Sequence, residues 1–291
     1  MAPTLGKIAL VLGGGGARGL AHIGVLKRLE ENGLEPEIIV GTSIGALIGG
    51  AYAAGVSVAD MEAILESMDV LAVAKIFRPG IPLSGFVDGG HVAKLLKGLI
   101  GTKRIEDLRL PFRAVATDIA GGADFVFADG PVVNAILASI AIPILFKPVA
   151  LRGRFLVDGG LSNPLPVSVA HGLSAAPSVA VNVSPDPARI GEALRTRRDT
   201  RIKRLGKIVP ARAIPASSSA PTMLDIFLQT LNISTFNLIV QRLEQARPRV
   251  LLSPDIAAFG MLEFHKGQAI VERGSEEADR MMPVITGLLA P

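Results

Sequence analysis

The stretch "IIVGTSIGALIGG", residues 38–50, decides the fold of this chain. A charge-free apolar run reaches Gly41, passes through a turn that contains Ser43, and continues in small apolar residues typical of a buried helix. A strand–turn–helix elbow of this kind holds a nucleophilic serine at its apex, between two glycines. Side chains at Gly41 and Gly45 would clash as the chain folds back. The helix beginning at Ile44 would present its positive end to an oxyanion.

Composition indicates a large folded core. The chain has 291 residues, of which 49% are hydrophobic, 19% charged and 4% aromatic. Its length fits one large α/β domain or two smaller ones. The absence of cysteine excludes disulfides, thiolate catalysis and cysteine-based zinc sites, and it fits a reducing compartment. No secretory signal is predicted at the start of the sequence, so we expect a cytoplasmic protein.

Short β-branched runs alternate with helical patterns, which predicts an α/β fold with a largely parallel sheet. The predicted strands are Lys7–Leu12, Glu37–Val40, Phe112–Thr117, Phe155–Val157, Ser178–Val183 and Arg249–Leu252, with antiparallel additions at Asp124–Ala128 and Ile144–Ala150. The predicted helices begin near Gly19, Ile44, Ser57, Gly90, Pro131, Asp186, Thr222 and Glu263.

Two charge-free stretches, residues 38–59 and 130–146, could be mistaken for membrane spans. The first is broken by its GTSIG turn, and the second is short and contains Pro143. A helical span needs about 20 continuous apolar residues. Buried strands and helices therefore explain both stretches better.

Residues 189–212, "RIGEALRTRRDTRIKRLGKIVPAR", form a basic run with only Glu192 and Asp199 as acids. A solvated helix face is the simplest interpretation. The functional alternative is a surface for anionic lipid headgroups or nucleic acid. No aromatic residues are interleaved there, which disfavours single-stranded nucleic acid. A Pro-, Ala- and Ser-rich linker follows, so that the basic helix and linker together occupy residues 189–222.

The next segment, "MLDIFLQTLNISTFNLIVQRL", starts at Met223 and opens a C-terminal helical part, residues 223–291. It is apolar over much of its circumference, with one stripe through Leu224, Leu228 and Leu231 and another through Met223, Ile226 and Ile233. Packing in the core is the default expectation for such a helix. A lid, a dimer interface and a membrane-contacting surface are the alternatives.

A glycine-rich loop opens the first helix in "VLGGGGARGLAHIGVLKRLEENG", which begins at Val11. Its spacing Gly14-x-Gly16-x-x-Gly19 formally matches a dinucleotide-binding fingerprint. That fingerprint requires an acidic residue at the end of the second strand, whereas here the strand ends in GTS. The cofactor interpretation is therefore disfavoured. What remains is a row of exposed N–H groups at a helix N-terminus, which is suited to binding an oxyanion.

A serine nucleophile needs a base. None of the four histidines, His22, His91, His171 and His265, follows a predicted strand in a glycine-flanked loop. Asp-Gly-Gly occurs twice, at residues 88–90 and 158–160. The first precedes a helix and is explained as a cap. Asp158 follows a strand, where α/β folds carry their chemistry, and it is the better candidate.

Four motifs together resemble the patatin-like phospholipase family, in its bacterial branch related to neuropathy target esterase. They are "GGGGARGLAHIGVL", "GTSIGALIG", "ASIAIPILFKPV" and "LVDGGLSNPLPV", within a motif core of residues 8–185. The resemblance implies a single domain over residues 1–291, folded as a three-layer α/β/α sandwich. At residues 144–145 this chain has Ile-Leu where the family often has a glycine before the phenylalanine.

The resemblance also implies site residues. Ser43 and Asp158 would form a catalytic dyad, with Ser139 structural. Gly14, Gly15, Gly16 and Gly19 would form the oxyanion loop, with Arg18 in the family's basic position, and Gly41, Ile44 and Gly45 would form the nucleophile elbow.

We therefore expect hydrolysis of fatty-acyl esters of phospholipids or lysophospholipids through an acyl-serine. No metal, cofactor or nucleic acid is expected. Peripheral contact with an anionic membrane, at its inner face, and a homo-oligomer are left open. An acyltransferase that uses the same acyl-serine, and a regulatory protein with an unused site, are the alternatives.

Overall fold

A computed structural model describes residues 6–67, 90–192 and 222–289. Eight strands, which lie within these ranges, form one mixed sheet. They are β1 (Lys7–Leu12), β2 (Glu35–Thr42), β3 (Phe112–Asp118), β4 (Asp124–Phe127), β5 (Val149–Leu151), β6 (Arg154–Asp158), β7 (Ser178–Val181) and β8 (Val250–Leu252). The α-helices are α1 (Ala21–Glu31), α2 (Ile44–Ala53), α3 (Val58–Glu66), α4 (Gly90–Ile100), α5 (Val132–Ser139), α6 (Val167–His171), α7 (Met223–Gln245) and α8 (Gly267–Leu289).

The strand order is β5-β6-β3-β2-β1-β7-β8, with β4 paired to β3. Strands β3, β2, β1, β7 and β8 run parallel, whereas β4, β5 and β6 join by antiparallel pairing. Five residues of β1 after Lys7 are buried in succession. Such a continuous apolar run is typical of a parallel strand that is covered on both faces.

Alternate residues of β1 enter different apolar clusters on the two sides of the sheet. Ile8, Leu10 and Leu12 belong to the larger cluster, which includes buried side chains of α1, α2, α5 and α8. Ala9 and Val11 belong to a smaller cluster with α6 and Ile239 of α7. The predicted three-layer α/β/α fold is confirmed, with unequal helical layers.

The pairing of β3 places two chain segments side by side. Its first half pairs with β2, where Thr42 is opposite Val115. Its second half pairs with β6, where Asp158 is opposite Ala116. Val115 and Ala116 are consecutive residues of β3. Asp158 therefore lies next to the end of β2, where Ser43 follows Thr42.

Most predicted elements are present with shifts of one to four residues at their ends. The predicted strand at Ile144–Ala150 is shorter, because only Val149–Leu151 pairs with β6. Ile144 has a φ of 69°, a turn conformation that no strand adopts. Residues 187–192 are helical, near the predicted start at Asp186. Asp88, most of the basic run and nearly all of the linker lie outside the described residues.

Helix α7 departs most from expectation. Only Asn232 and Ile239 are buried along its 23 residues, so the default prediction of core packing is wrong. By length and composition alone it could cross a membrane, since an 18-residue window within it has a mean hydropathy of 1.3. In the structure it lies against the end of the sheet, where Arg242 donates a hydrogen bond to the carbonyl oxygen of Ser162 (2.8 Å). The stretches 38–59 and 130–146 each contain a turn rather than one continuous helix.

Candidate active site

Ser43 occupies a sharp turn between β2 and α2. Its φ of 55° and ψ of −123° are strained for a residue with a side chain, as at other nucleophile elbows. A Cβ atom at Gly41 would lie 2.5 Å from the carbonyl oxygen of Gly45, and one at Gly45 would collide with the carbonyl oxygen of Leu12. Both glycines are therefore required by the close approach of the backbone.

The carboxylate of Asp158 lies directly beside the hydroxyl of Ser43. Ser43 Oγ donates a hydrogen bond of 2.6 Å to Asp158 Oδ2, and the N–H of Gly160 donates one of 2.7 Å to Asp158 Oδ1. Burial raises the pKa of Asp158 to about 6, while these two hydrogen bonds oppose the rise. The carboxylate is thus a stronger base than an exposed aspartate and is still ionised at neutral pH.

Ser139, at the end of α5, fixes the elbow. The N–H of Ser43 donates to Ser139 Oγ (2.8 Å), and Ser139 Oγ donates to the carbonyl oxygen of Val115 (2.6 Å). The N–H of Ser43 is therefore already bound and does not face an oxyanion. Ser139 has the structural position that the resemblance implied.

The glycine loop contributes two N–H groups to the site. Gly14 donates its N–H to the carbonyl oxygen of Pro164 (2.9 Å), and Ala17 donates to that of Met261 (2.8 Å). Between them, the N–H groups of Gly15 and Gly16 have no partner among the described residues. Both glycines line the pocket that contains Ser43. Gly16 has a φ of 60°, and a side chain there would collide with the carbonyl of Met261.

Arg18 and Gly19 do not line the pocket that contains Ser43. Arg18 is buried and donates to the carbonyl oxygen of Phe259 (2.7 Å) and to Asn232 Oδ1 (2.8 Å). Burial lowers its pKa to about 10, against an opposing effect of Glu263, so it remains charged at neutral pH. Arg18 ties the glycine loop to α7. Gly19 allows the loop to pack against Ile44.

The histidines for which the structure describes a side chain do not contact Ser43. His22 is fully buried, and its Nε2 lies 2.8 Å from the carbonyl oxygen of Gly13. Burial lowers its pKa to about 4, so the ring is neutral and donates this bond. His171 pairs with Ser178 (2.9 Å), and His265 is exposed. Within the described ranges, no group of three His, Asp or Glu side chains could hold a metal ion.

Two cavities meet at the dyad. A small pocket of about 40 Å³ is lined by the dyad, the glycine loop, Ser184, Asn232 and Thr235. A larger cavity of about 400 Å³ extends along α2 and is lined almost entirely by apolar side chains. Ser43 belongs to both cavities.

Helix α7 covers the site with one face. Residues at alternating spacings of four and three form this inner face: Leu228, Asn232, Thr235, Ile239 and Arg242. Leu228 lines the apolar cavity, Asn232 and Thr235 line the small pocket, and Ile239 is buried. The opposite, outer face is exposed and carries Met223, Ile226, Ile233 and Val240. Asn232 was missed by sequence reasoning, since it is one of several polar residues in this helix and nothing in the sequence distinguishes it from Asn237.

Comparisons with known proteins give relatives over much of the chain. An uncharacterized NTE family protein of Mycobacterium tuberculosis (strain ATCC 25618 / H37Rv) is 38% identical over 189 residues, which are 64% of this chain and 52% of that protein. A second one from the same strain is 31% identical over 287 residues, 92% of this chain and 45% of that protein. The chain thus spans about half the length of these relatives.

More distant similarities extend the comparison. The murine patatin-like phospholipase domain-containing protein 6 is 36% identical over 186 residues, 62% of this chain and 14% of that protein. The crystal structure of VipD from Legionella pneumophila matches at 14% identity with a TM-score of 0.46, covering 97% of this chain and 67% of that one. The sequence profile of the patatin-like phospholipases matches residues 10–171. This chain therefore belongs to the patatin-like phospholipase family.

Proposed function

We propose that this protein is a serine acyl hydrolase that cleaves long-chain fatty-acyl esters of phospholipids or lysophospholipids. The observation that carries the proposal is the 2.6 Å hydrogen bond from Ser43 Oγ to the buried carboxylate of Asp158. Two further features support it: the N–H groups of Gly15 and Gly16, which lack partners among the described residues, and the apolar cavity that begins at the same serine.

In the proposed reaction, Asp158 removes the hydroxyl proton while Ser43 Oγ attacks the ester carbonyl carbon. The N–H groups of Gly15 and Gly16 stabilise the oxyanion of the tetrahedral intermediate. Asp158 then gives its proton to the departing alcohol, which leaves an acyl-serine. Water, activated by the same carboxylate, attacks the acyl carbon and releases the fatty acid and free Ser43.

The shape of the site supports a long acyl chain. The cavity of about 400 Å³ falls within the range of small-molecule sites, and its lining by Ile44, Leu47, Ile48 and other apolar side chains favours a hydrocarbon. The small pocket on the other side of Ser43 has polar groups and receives the alcohol portion of the ester.

A membrane surface is the proposed source of substrate. The outer face of α7 exposes Met223 (81% exposed), Ile226 and Ile233, while its inner face contacts the site. An apolar face of this kind buries itself in the headgroup boundary of a bilayer. The net charge of +4 would favour anionic lipids. Contact by α7 would bring the site to the substrate.

Fluorophosphonate labelling tests the nucleophile. The wild type, Ser43→Ala, Asp158→Asn and Asp88→Asn are treated with the probe, with and without phosphatidylglycerol vesicles. We expect labelling of the wild type and Asp88→Asn, none of Ser43→Ala and strongly slowed labelling of Asp158→Asn. Labelling of Ser43→Ala at the wild-type rate, or an inert wild type even with vesicles, would overturn the proposal.

A further inference from the structure

Within the described part of the chain, the side-chain amide of Asn232 is bonded through its oxygen but not through its nitrogen. Oδ1 accepts a bond of 2.8 Å from Arg18 Nη1, whereas Nδ2 is buried with no partner among the described residues. Only 4% of Asn232 is exposed. Buried polar groups are nearly always paired in native proteins, so an orphaned donor that lines a pocket is available to a group bound there.

Arg18 fixes which way this amide faces. A guanidinium has only donors, so it can pair with the oxygen of Asn232 but not with its nitrogen. Arg18 is itself held by the carbonyl oxygen of Phe259 (2.7 Å). The amide is therefore held with its oxygen toward Arg18, and Nδ2 is the atom without a partner among the described residues.

Asn232 lines the small pocket together with Ser43 and Asp158. This pocket has room for roughly three water molecules, which is enough for the polar groups next to a scissile ester bond. The acyl chain has the apolar cavity on the other side of Ser43, and the oxyanion has the N–H groups of Gly15 and Gly16. The part of the substrate left for Nδ2 is the alcohol portion.

We propose that Asn232 is a specificity-determining residue whose Nδ2 donates a hydrogen bond to an oxygen of the alcohol portion, selecting glycerol-type esters over plain alkyl esters. Arg18 is then a positioning residue that orients Asn232. This inference rests on the proposed hydrolase function. It adds a substrate contact from α7, which lies beyond the residues matched by the family profile.

Two esters that differ only in the alcohol test the inference: 1-decanoylglycerol and propyl decanoate. Asn232→Asp keeps an oxygen for Arg18 but replaces the N–H donor with a carboxylate oxygen, whereas Asn232→Leu removes both the oxygen and the donor. Asn237→Leu, on the exposed outer face of α7, is the matched control. The readout is the ratio of kcat/KM for the glyceryl ester to that for the propyl ester.

We expect both Asn232 variants to lower this ratio by about tenfold, the effect of one lost hydrogen bond in a partly dry site. Asn237→Leu leaves the ratio unchanged. If Asn232 serves only to hold Arg18, Asn232→Asp keeps the wild-type ratio, and the inference fails. Repeating the assay one pH unit higher excludes an effect of the new carboxylate on Asp158.

The two proposals fail in distinguishable ways. A wild type that hydrolyses neither ester contradicts the hydrolase function. A wild type that hydrolyses both at equal rates, or an Asn232→Asp variant whose losses on the two esters are equal, contradicts the role of Asn232 alone. Should Asn232→Leu not fold, Asn232→Asp still decides, because it preserves the contact with Arg18.

Discussion

The floor and the roof of this active site are built differently. The floor comprises the strand ends and loops that carry Ser43, Asp158 and the glycine loop, and its groups are buried and bonded to several neighbours. The roof is α7, of which only Asn232 and Ile239 are buried. Groups that take part in bond-making need fixed positions, whereas a cover needs only enough contacts to meet the substrate. Three predictions test this division of roles, and a fourth tests the backbone strain at Ile144.

The largest effect is expected in the floor. Asp158→Asn removes the base and should lower kcat by about 10³–10⁴-fold. The stability of the folded protein, by contrast, should rise. Burial raises the pKa of Asp158 from 3.8 to about 6, so the native state loses stability as pH rises through this window. At neutral pH a neutral asparagine should therefore raise the free energy of unfolding by about 1–3 kcal/mol.

Kinetics and urea unfolding of one preparation test both parts of this prediction. A variant that is inactive because it is less stable would contradict the assignment of Asp158 as a base. Asp60→Asn, at an exposed position in α3, is a suitable control, since it should leave kcat unchanged.

The pH dependence of kcat/KM of the wild type tests the same assignment of Asp158 as the base. Only the ionised form of Asp158 accepts a proton, so kcat/KM should fall about tenfold per pH unit below the pKa of about 6 and be level above it. The measurement uses a soluble short-chain ester, which separates chemistry from lipid binding. A midpoint close to 4, the pKa of His22, or a profile that is flat through pH 6 would contradict Asp158 as the base.

A smaller effect is expected in the roof. Ile226→Ser with Ile233→Ser makes the outer face of α7 polar without changing its inner face. Each loses about 1 kcal/mol of apolar burial at a lipid surface, so activity of the double variant on phosphatidylglycerol vesicles should fall about thirtyfold. Hydrolysis of the soluble ester should persist. Equal losses on vesicles and soluble ester would contradict membrane contact, and Asn237→Ser serves as the polar control.

The smallest effect concerns Ile144, which lies in the turn before Phe146. Its φ is 69° and 58% of the residue is exposed, so its strain is not offset by burial. Ile144→Gly should raise the free energy of unfolding by about 0.5–1 kcal/mol, because glycine adopts positive φ freely. Urea unfolding measures this. A decrease in stability would show that the isoleucine side chain packs against something that outweighs its strain.

The floor could be predicted from sequence because its parts are local patterns. A buried strand, a glycine-flanked serine and small helical residues specify the elbow within one stretch, and Asp158 follows a recognisable strand. Bond partners of the glycine loop could not be predicted. Gly14 donates to Pro164, and Arg18 donates to Phe259 and Asn232, all of them more than a hundred residues away along the chain.

The roof was harder to predict for a physical reason. The apolar residues of α7 are spread around all sides of the helix, so their spacing does not indicate which face packs against the rest of the protein. The buried face is instead chosen by polar groups, Asn232 beside Arg18 and Arg242 beside Ser162. Neither pair is visible until the fold brings its members together.

The meeting of two cavities at Ser43 has a kinetic consequence. An ester bound across both would give up its alcohol from the small pocket while its hydrocarbon remains anchored in the large one. In the proposed reaction, the acyl-enzyme would then have its hydrocarbon in the large cavity and an empty small pocket. Water and any second alcohol that enters the small pocket would compete to react with it. In the proposed reaction, whichever molecule occupies the small pocket would therefore decide between hydrolysis and acyl transfer, and the kinetics would be of the ping-pong type.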